Sequence, residues 1–189
     1  MGLDMYVYKV SKIGLEKRTY TSAELRELGL SCVMVNEANE HKQLYAELIP
    51  YTIKRDVSAE FLDMEKIIAD YNLPSDSHVG MMSYEKIVVS GKNENGEYIR
   101  QEITRDEIDN KYTVTKINPY YIWKDNEVAY WRKHYDLQDW IYDELGDVDN
   151  TGYYMLNTDV IKALNDAFDE DVPVMEPTKD SALFYWEWY

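Results

Sequence analysis

The stretch "EVAYWRKHYDLQDW", residues 127–140, packs two Trp, two Tyr, an Arg, a Lys and a His into an otherwise acidic chain. Placed on a helix of about 3.6 residues per turn, the run from Glu127 to Leu145 has apolar side chains on one half of its circumference. We therefore predict a helix over residues 127–145 that packs through this half. Its predicted core residues are Val128, Tyr130, Trp131, Tyr135, Leu137, Ile141, Tyr142 and Leu145. On the charged half, Arg132 precedes Asp136 by one turn, a spacing that favours an ion pair.

Three residues break this helical pattern: His134 and Gln138 in the apolar half, and Trp140 in the polar half. A buried His or Gln needs hydrogen-bond partners, because an unsatisfied amide costs about 1–3 kcal/mol. The favoured interpretation is a hydrogen-bonded core pair. The alternative is a ligand pocket lined by His134, Gln138 and Tyr130. Trp140 is either an exposed anchor for a partner or is covered by the aromatic run at the end of the chain.

The rest of the chain predicts an α+β fold. Residues 3–10 alternate like a strand, Thr21 and Glu24 form a capping box, Ser58 can cap a helix to Tyr71, and residues 84–103 indicate a hairpin. Residues 1–118 are predicted as an antiparallel sheet with two short helices packed on it. Residues 119–189 are predicted as a helical acidic region, including a helix from Thr158, that packs with the first region as one compact domain.

The formal net charge of −16 is concentrated in the last third, since residues 136–189 hold 14 acids and 2 bases. Such a field repels nucleic acid and anionic membranes and favours a basic protein partner, such as one that normally holds DNA or RNA. Simple solubility is the alternative explanation. The predicted partner-binding residues are Trp140, Asp143, Glu144, Asp147, Asp149, Asp166, Asp169, Glu170 and Asp171.

The sequence offers little for catalysis or metal binding. It has no Walker or dinucleotide motif, its three His are widely separated, and Cys32 is alone, so we predict no cofactor and favour a non-enzyme. Residues 147–158 resemble a calcium loop, but Thr158 stands where a bidentate Glu is needed, so we predict no metal. Without a signal peptide or a long apolar run, we expect a cytoplasmic protein that does not enter a membrane.

Several motifs together resemble a loose family of uncharacterised proteins of bacteriophages and prophages. They are the initial "MGLDMY", "EVAYWRK", "GYYML" and the terminal "WEWY", and the likeness covers the first ten residues and roughly residues 127–189. No activity is established for that family. The resemblance implies an accessory factor that acts in the host cell, of the kind that inhibits CRISPR or restriction systems through an acidic, DNA-mimicking surface.

Two other functions stay open at this point. One is a small enzyme or small-ligand-binding protein that uses the pocket of Tyr, His and Gln side chains. The other is a virion or scaffold component, which would have a large self-association interface. The sequence does not decide the oligomeric state.

Overall fold

The computed structural model describes residues 2–146, 148–168 and 178–189. The chain divides into two compact units. Unit 1 comprises Met1–Val57 and Asn118–Tyr189, and unit 2 comprises Ser58–Ile117. The predicted α+β class is confirmed. The predicted boundary after residue 118 lies beside one boundary of the units, whereas residues 1–57 pack with the C-terminal segment.

The strands are β1 (Asp4–Ser11), β2 (Tyr20–Thr21), β3 (Ser31–Met34), β4 (Ile53–Leu62), β5 (His78–Met82), β6 (Lys86–Lys92), β7 (Tyr98–Thr104), β8 (Thr113–Arg132), β9 (Tyr154–Leu156) and β10 (Ser181–Trp188). The helices are α1 (Ser22–Glu27), α2 (Val35–Glu40), α3 (Lys42–Tyr45), α4 (Met64–Tyr71), α5 (Arg105–Lys111), α6 (Tyr135–Leu145) and α7 (Thr158–Phe168), and a 3-10 turn spans Ile49–Tyr51.

The sheet of unit 1 is centred on β1. Among the described residues, seven strands form it in the order β2-β4-β8-β1-β10-β9, with β3 also paired to β8. β1 is antiparallel to both β8 and β10, and Met5 lies opposite Trp131 and Glu187. Because side chains alternate along a strand, Met5 and its partners face one side of the sheet, and the neighbouring Tyr6 faces the other.

Each face of this sheet has its own core. On the side of Met5, the helices α6 and α7 cover the sheet and bury Leu137, Ile141 and Leu164. On the opposite side, Val10 and Phe184 belong to a second core that includes residues of β3 and α2. Both faces of the sheet therefore bury apolar side chains, and α6 and α7 cover the side of Met5.

Unit 2 contains the predicted hairpin. β5, β6 and β7 form a three-stranded antiparallel sheet. Its apolar side chains pack with α4 and α5 around a core of buried residues. The members of this core are Ile67, Leu73, Ile87, Val89, Ile103, Ile108 and Tyr112.

The predicted helix over residues 127–145 is wrong in its first third. β8 continues to Arg132, where its backbone pairs with β1, and α6 begins only at Tyr135. Lys133 makes the corner with a positive φ of 56°, and its N–H donates to the Leu3 carbonyl at 2.8 Å. The expected pair with Asp136 is therefore also wrong, since Arg132 lies on the strand with its Nε 3.8 Å from Asp4.

Other local predictions divide into confirmed and corrected ones. The strand at residues 3–10, the hairpin and the capping box of Thr21 and Glu24 are confirmed. The helix from Ser58 is wrong at its start, because β4 runs on to Leu62 and the Asp63 side chain caps α4. The C-terminal third is not wholly helical, since β9 and β10 lie on either side of α7.

No helix in the described part of the chain is long and apolar enough to cross a membrane.

The strand-to-helix corner at Lys133 can be tested by substitution. Lys133→Val should lower the free energy of unfolding by about 1–2 kcal/mol, because a β-branched residue is strained at positive φ. Lys133→Gly should not lower it in this way, since glycine adopts this conformation freely. Urea unfolding followed by Trp fluorescence measures unit 1, which contains all five Trp. Lys124→Val, at an exposed extended position of β8, is the matched control, and equal losses in both Val variants would contradict the assignment.

Candidate functional site

A buried carboxylate is the most unusual polar group of unit 1. Glu187 on β10 is only 1% exposed. Its two carboxylate oxygens accept hydrogen bonds from the hydroxyls of Tyr142 and Tyr185, each at 2.7 Å, and from Nε2 of Gln138 at 3.2 Å. No ion pair among the described residues includes this carboxylate. The described donors to this carboxylate are therefore all neutral.

Strand and helix periodicity together build this network. In β10, Tyr185 and Glu187 are two residues apart and lie on the face that α6 covers. In α6, Gln138 and Tyr142 are four residues apart and so lie on one side of the helix. The Gln138 amide also donates to the Tyr142 hydroxyl at 3.0 Å. One helical turn thus supplies two of the three donors to the carboxylate.

The tyrosine hydroxyls are held in their neutral form. Burial and then the hydrogen bond to Glu187 raise the pKa of both Tyr142 and Tyr185 well above the usual value of a phenol. A neutral phenol can donate to the carboxylate, whereas a phenolate cannot. The raised pKa values therefore favour the observed hydrogen bonds.

A solvent-accessible cleft of about 600 Å³ adjoins this network. Its lining residues are Leu3, Tyr135, Gln138, Tyr142 and Tyr189. Gln138 and Tyr142 thus belong to both the cleft and the hydrogen-bond network. The lining of the cleft is thus mainly aromatic, and two of its residues are hydrogen-bonded to a buried acid.

The structure separates the three residues of the predicted pocket. Gln138 lines the cleft, but His134 accepts a hydrogen bond at Nδ1 from the Leu137 N–H, at 3.2 Å, and so caps α6. Its ring packs edge-on against Phe168, at 5.4 Å between centroids. Tyr130 faces the other side of the sheet, where its hydroxyl donates to Asp4 at 2.8 Å. His134 and Gln138 are each hydrogen-bonded as expected, but both are half-buried and not the core pair that was predicted.

Tyr130 belongs instead to a row of aromatic rings on that other face. The Tyr6 ring lies 4.9 Å from that of Tyr130, 5.3 Å from that of Trp186 and 5.5 Å from that of Tyr8. Cross-strand pairing explains the row, since Tyr6 lies opposite both Tyr130 and Trp186. These contacts stabilise the sheet and leave Tyr130 45% exposed.

The acids predicted to bind a partner are only partly described by the structure. Asp143 and Glu144 are exposed on α6, and Asp149 and Asp166 are exposed beyond it. Asp147, Asp169, Glu170 and Asp171 lie outside the described residues. Trp140, the predicted anchor, is half-buried and packs edge-on against Phe168 at 5.8 Å, so α7 covers part of its ring.

Sequence reasoning missed two exposed acids and the buried one. Asp136 and Asp139 lie on the outer side of α6 with Asp143, and none of the three forms an ion pair with a described residue. Glu187 was missed because its strand was not predicted. The signal was its spacing, since an acid stands where the alternation of Leu183 and Tyr185 places an inward side chain.

Across residues 2–146, 148–168 and 178–189, no group of three or more His, Cys, Asp or Glu side chains could hold a metal ion. Comparison with known proteins gives no match to a family model, a curated protein or a solved structure. The resemblance to phage proteins therefore depends on the sequence motifs alone.

Removing one donor to the buried carboxylate should destabilise unit 1. Tyr185→Phe should lower the free energy of unfolding by about 1.5–3 kcal/mol, the range for a hydrogen bond to a charged group. Tyr130→Phe is the matched control, because it removes a hydroxyl from a side chain that is 45% exposed and should cost less than about 1 kcal/mol. Urea unfolding measures both variants. A loss as small for Tyr185→Phe as for Tyr130→Phe would show that the network contributes little.

The same network predicts a loss of stability at alkaline pH. In the unfolded chain Tyr142 and Tyr185 ionise near pH 10, whereas their folded pKa values are raised. The unfolded state therefore loses protons first, and the stability contributed by these groups is present below about pH 10 and decreases above it.

Thermal unfolding between pH 8 and 11, followed by circular dichroism, measures this decrease. It should be shallower for Tyr185→Phe than for the parent chain. Tyr84→Phe, at a side chain that is 97% exposed, should leave the decrease unchanged. A parallel decrease in all three proteins would contradict the assignment.

Proposed function

We propose that this chain is a non-enzymatic binding protein that engages a basic protein through the exposed acids of α6. One observation carries the proposal. Asp136, Asp139 and Asp143 lie within about 60° of each other around the helix, at 100° per residue. All three are exposed, and none forms an ion pair with a described base. Glu144, Asp149 and Asp166 add further exposed negative charge.

Unpaired surface acids act mainly through their long-range field. They speed association with a basic surface and oppose association with acidic ones, and both effects weaken as salt screens the charges. The commonest strongly basic surfaces in a cell are those that hold DNA or RNA. Together with the net charge of −16, this supports a partner that handles nucleic acid.

We further propose a biological setting for this binding. The chain is encoded by a phage, acts in the cytoplasm of the host cell and inhibits a nucleic-acid-handling defence enzyme by mimicking DNA. Its support is the acidic surface together with the sequence motifs described above. No direct contact with nucleic acid or membrane is part of this proposal, and the oligomeric state is left open.

Charge reversal on α6 tests the proposal directly. The variant carries Asp136→Lys, Asp139→Lys, Asp143→Lys and Glu144→Lys, and it is compared with the parent chain in affinity capture from bacterial lysate at low and high salt. We expect the parent to retain at least one basic nucleic-acid-binding protein at low salt, and to lose it at high salt. The α6 variant should lose it at both.

A second quadruple variant controls for net charge. Glu60, Glu85, Glu94 and Asp109 are exposed, and changing them to Lys alters the total charge equally without touching α6. This control variant should keep much more of the captured protein than the α6 variant does. Equal capture by the two variants would show that the interaction depends on net charge and not on the acids of α6. The absence of any captured protein with the expected salt dependence would overturn the proposal.

A further inference from the structure

The cleft beside α6 lies next to a buried acid, which is separate from the exposed acids on the outer side of the helix. Glu187 is buried behind it without a described basic partner. Tyr142 and Gln138 line the cleft, and both donate to the Glu187 carboxylate. A charge in such a poorly screened position acts on neighbouring groups more strongly than an exposed one.

The residues that line the cleft suit a positively charged ligand. Three of its five lining residues are tyrosines, and two of them, Tyr135 and Tyr189, are more than half exposed. The face of an aromatic ring attracts a cation within about 6 Å of its centre. The Gln138 nitrogen is used by Tyr142 and Glu187, which leaves its amide oxygen as an acceptor.

We infer that this cleft binds an organic ammonium group. The group would lie against the tyrosine rings of the cleft. The carboxylate of Glu187, which is bonded to Gln138 and Tyr142, would attract it. A neutral group of the same shape would gain only the apolar contacts, and an anion would be repelled. The ammonium group could belong to a free small molecule or to a lysine side chain of a peptide. This inference does not depend on the acids of the outer side of α6.

Choline and its neutral carbon analogue 3,3-dimethylbutan-1-ol test the inference. Each is titrated into the full chain, and binding is followed by NMR chemical shifts. We expect saturable shifts of cleft residues with choline and affinity for the neutral analogue that is weaker by about threefold or more. Equal affinity of the two compounds, or no saturable shift with choline, would overturn the inference.

Three variants test where choline binds. Tyr135→Ala removes an exposed aromatic side chain from the cleft, so the variant should fold. It should bind choline about threefold more weakly than the parent chain. Tyr84→Ala, at another exposed tyrosine, should leave choline binding unchanged. Glu187→Gln should weaken choline while leaving the neutral analogue unaffected. If this buried variant does not fold, the first two variants and the neutral analogue still decide. Equal affinities in the Tyr135 and Tyr84 variants would place the binding elsewhere and overturn the inference.

A further titration distinguishes the two sources of the ammonium group. N-acetyl-lysine-N′-methylamide carries the group on a peptide-like side chain. If its binding is also weakened by Tyr135→Ala, the cleft accepts a lysine of a partner. If only choline shows the effect, the cleft takes a free small cation. Reversal of the α6 acids should leave choline affinity within about twofold, so failure of the proposed function does not decide this test.

Discussion

The pairing of β1 on both of its edges is the constraint on which the rest of unit 1 depends. β8 and β10, from distant parts of the chain, are antiparallel to it, and each residue of β1 fixes the position of one residue in each neighbour. A shift of the register by one residue would move every side chain to the opposite face. The observed register places Glu187 on the face covered by α6, and Tyr130 on the face that α6 does not cover.

Burying Glu187 then restricts the choice of neighbours. Removing an isolated carboxylate from water costs several kcal/mol, so the folded chain must supply hydrogen-bond donors at fixed positions. Tyr142, Tyr185 and Gln138 meet this need without adding a positive charge. No Lys or Arg is among the described donors to this acid. That choice of donors connects the stability of the fold with the electrostatics of the cleft.

The sequence predicted the α+β class and the elements that depend on short-range signals, such as the cap at Thr21 and the hairpin in unit 2. Prediction from the sequence failed where pairing between distant strands determines the local structure. Residues 127–132 fit a helical period as well as a strand, and their strand form depends on β1, more than a hundred residues earlier. The network of Glu187 was missed for the same reason. It joins a strand and a helix 45 residues apart, and only the pairing of β10 with β1 shows that this acid points inward.

The exposed acids of α6 and the buried acid of β10 that packs against it act over different ranges. The acids on its outer side are exposed, so salt at physiological strength screens them beyond about 8 Å. The carboxylate of Glu187 lies within low-dielectric protein and is screened much less. A partner attracted by the outer acids should therefore dissociate as salt rises, while a cation in the cleft should be held by contacts that salt weakens only slightly. α6 can contribute to both proposed functions because its outer side carries exposed acids and its inner side covers Glu187.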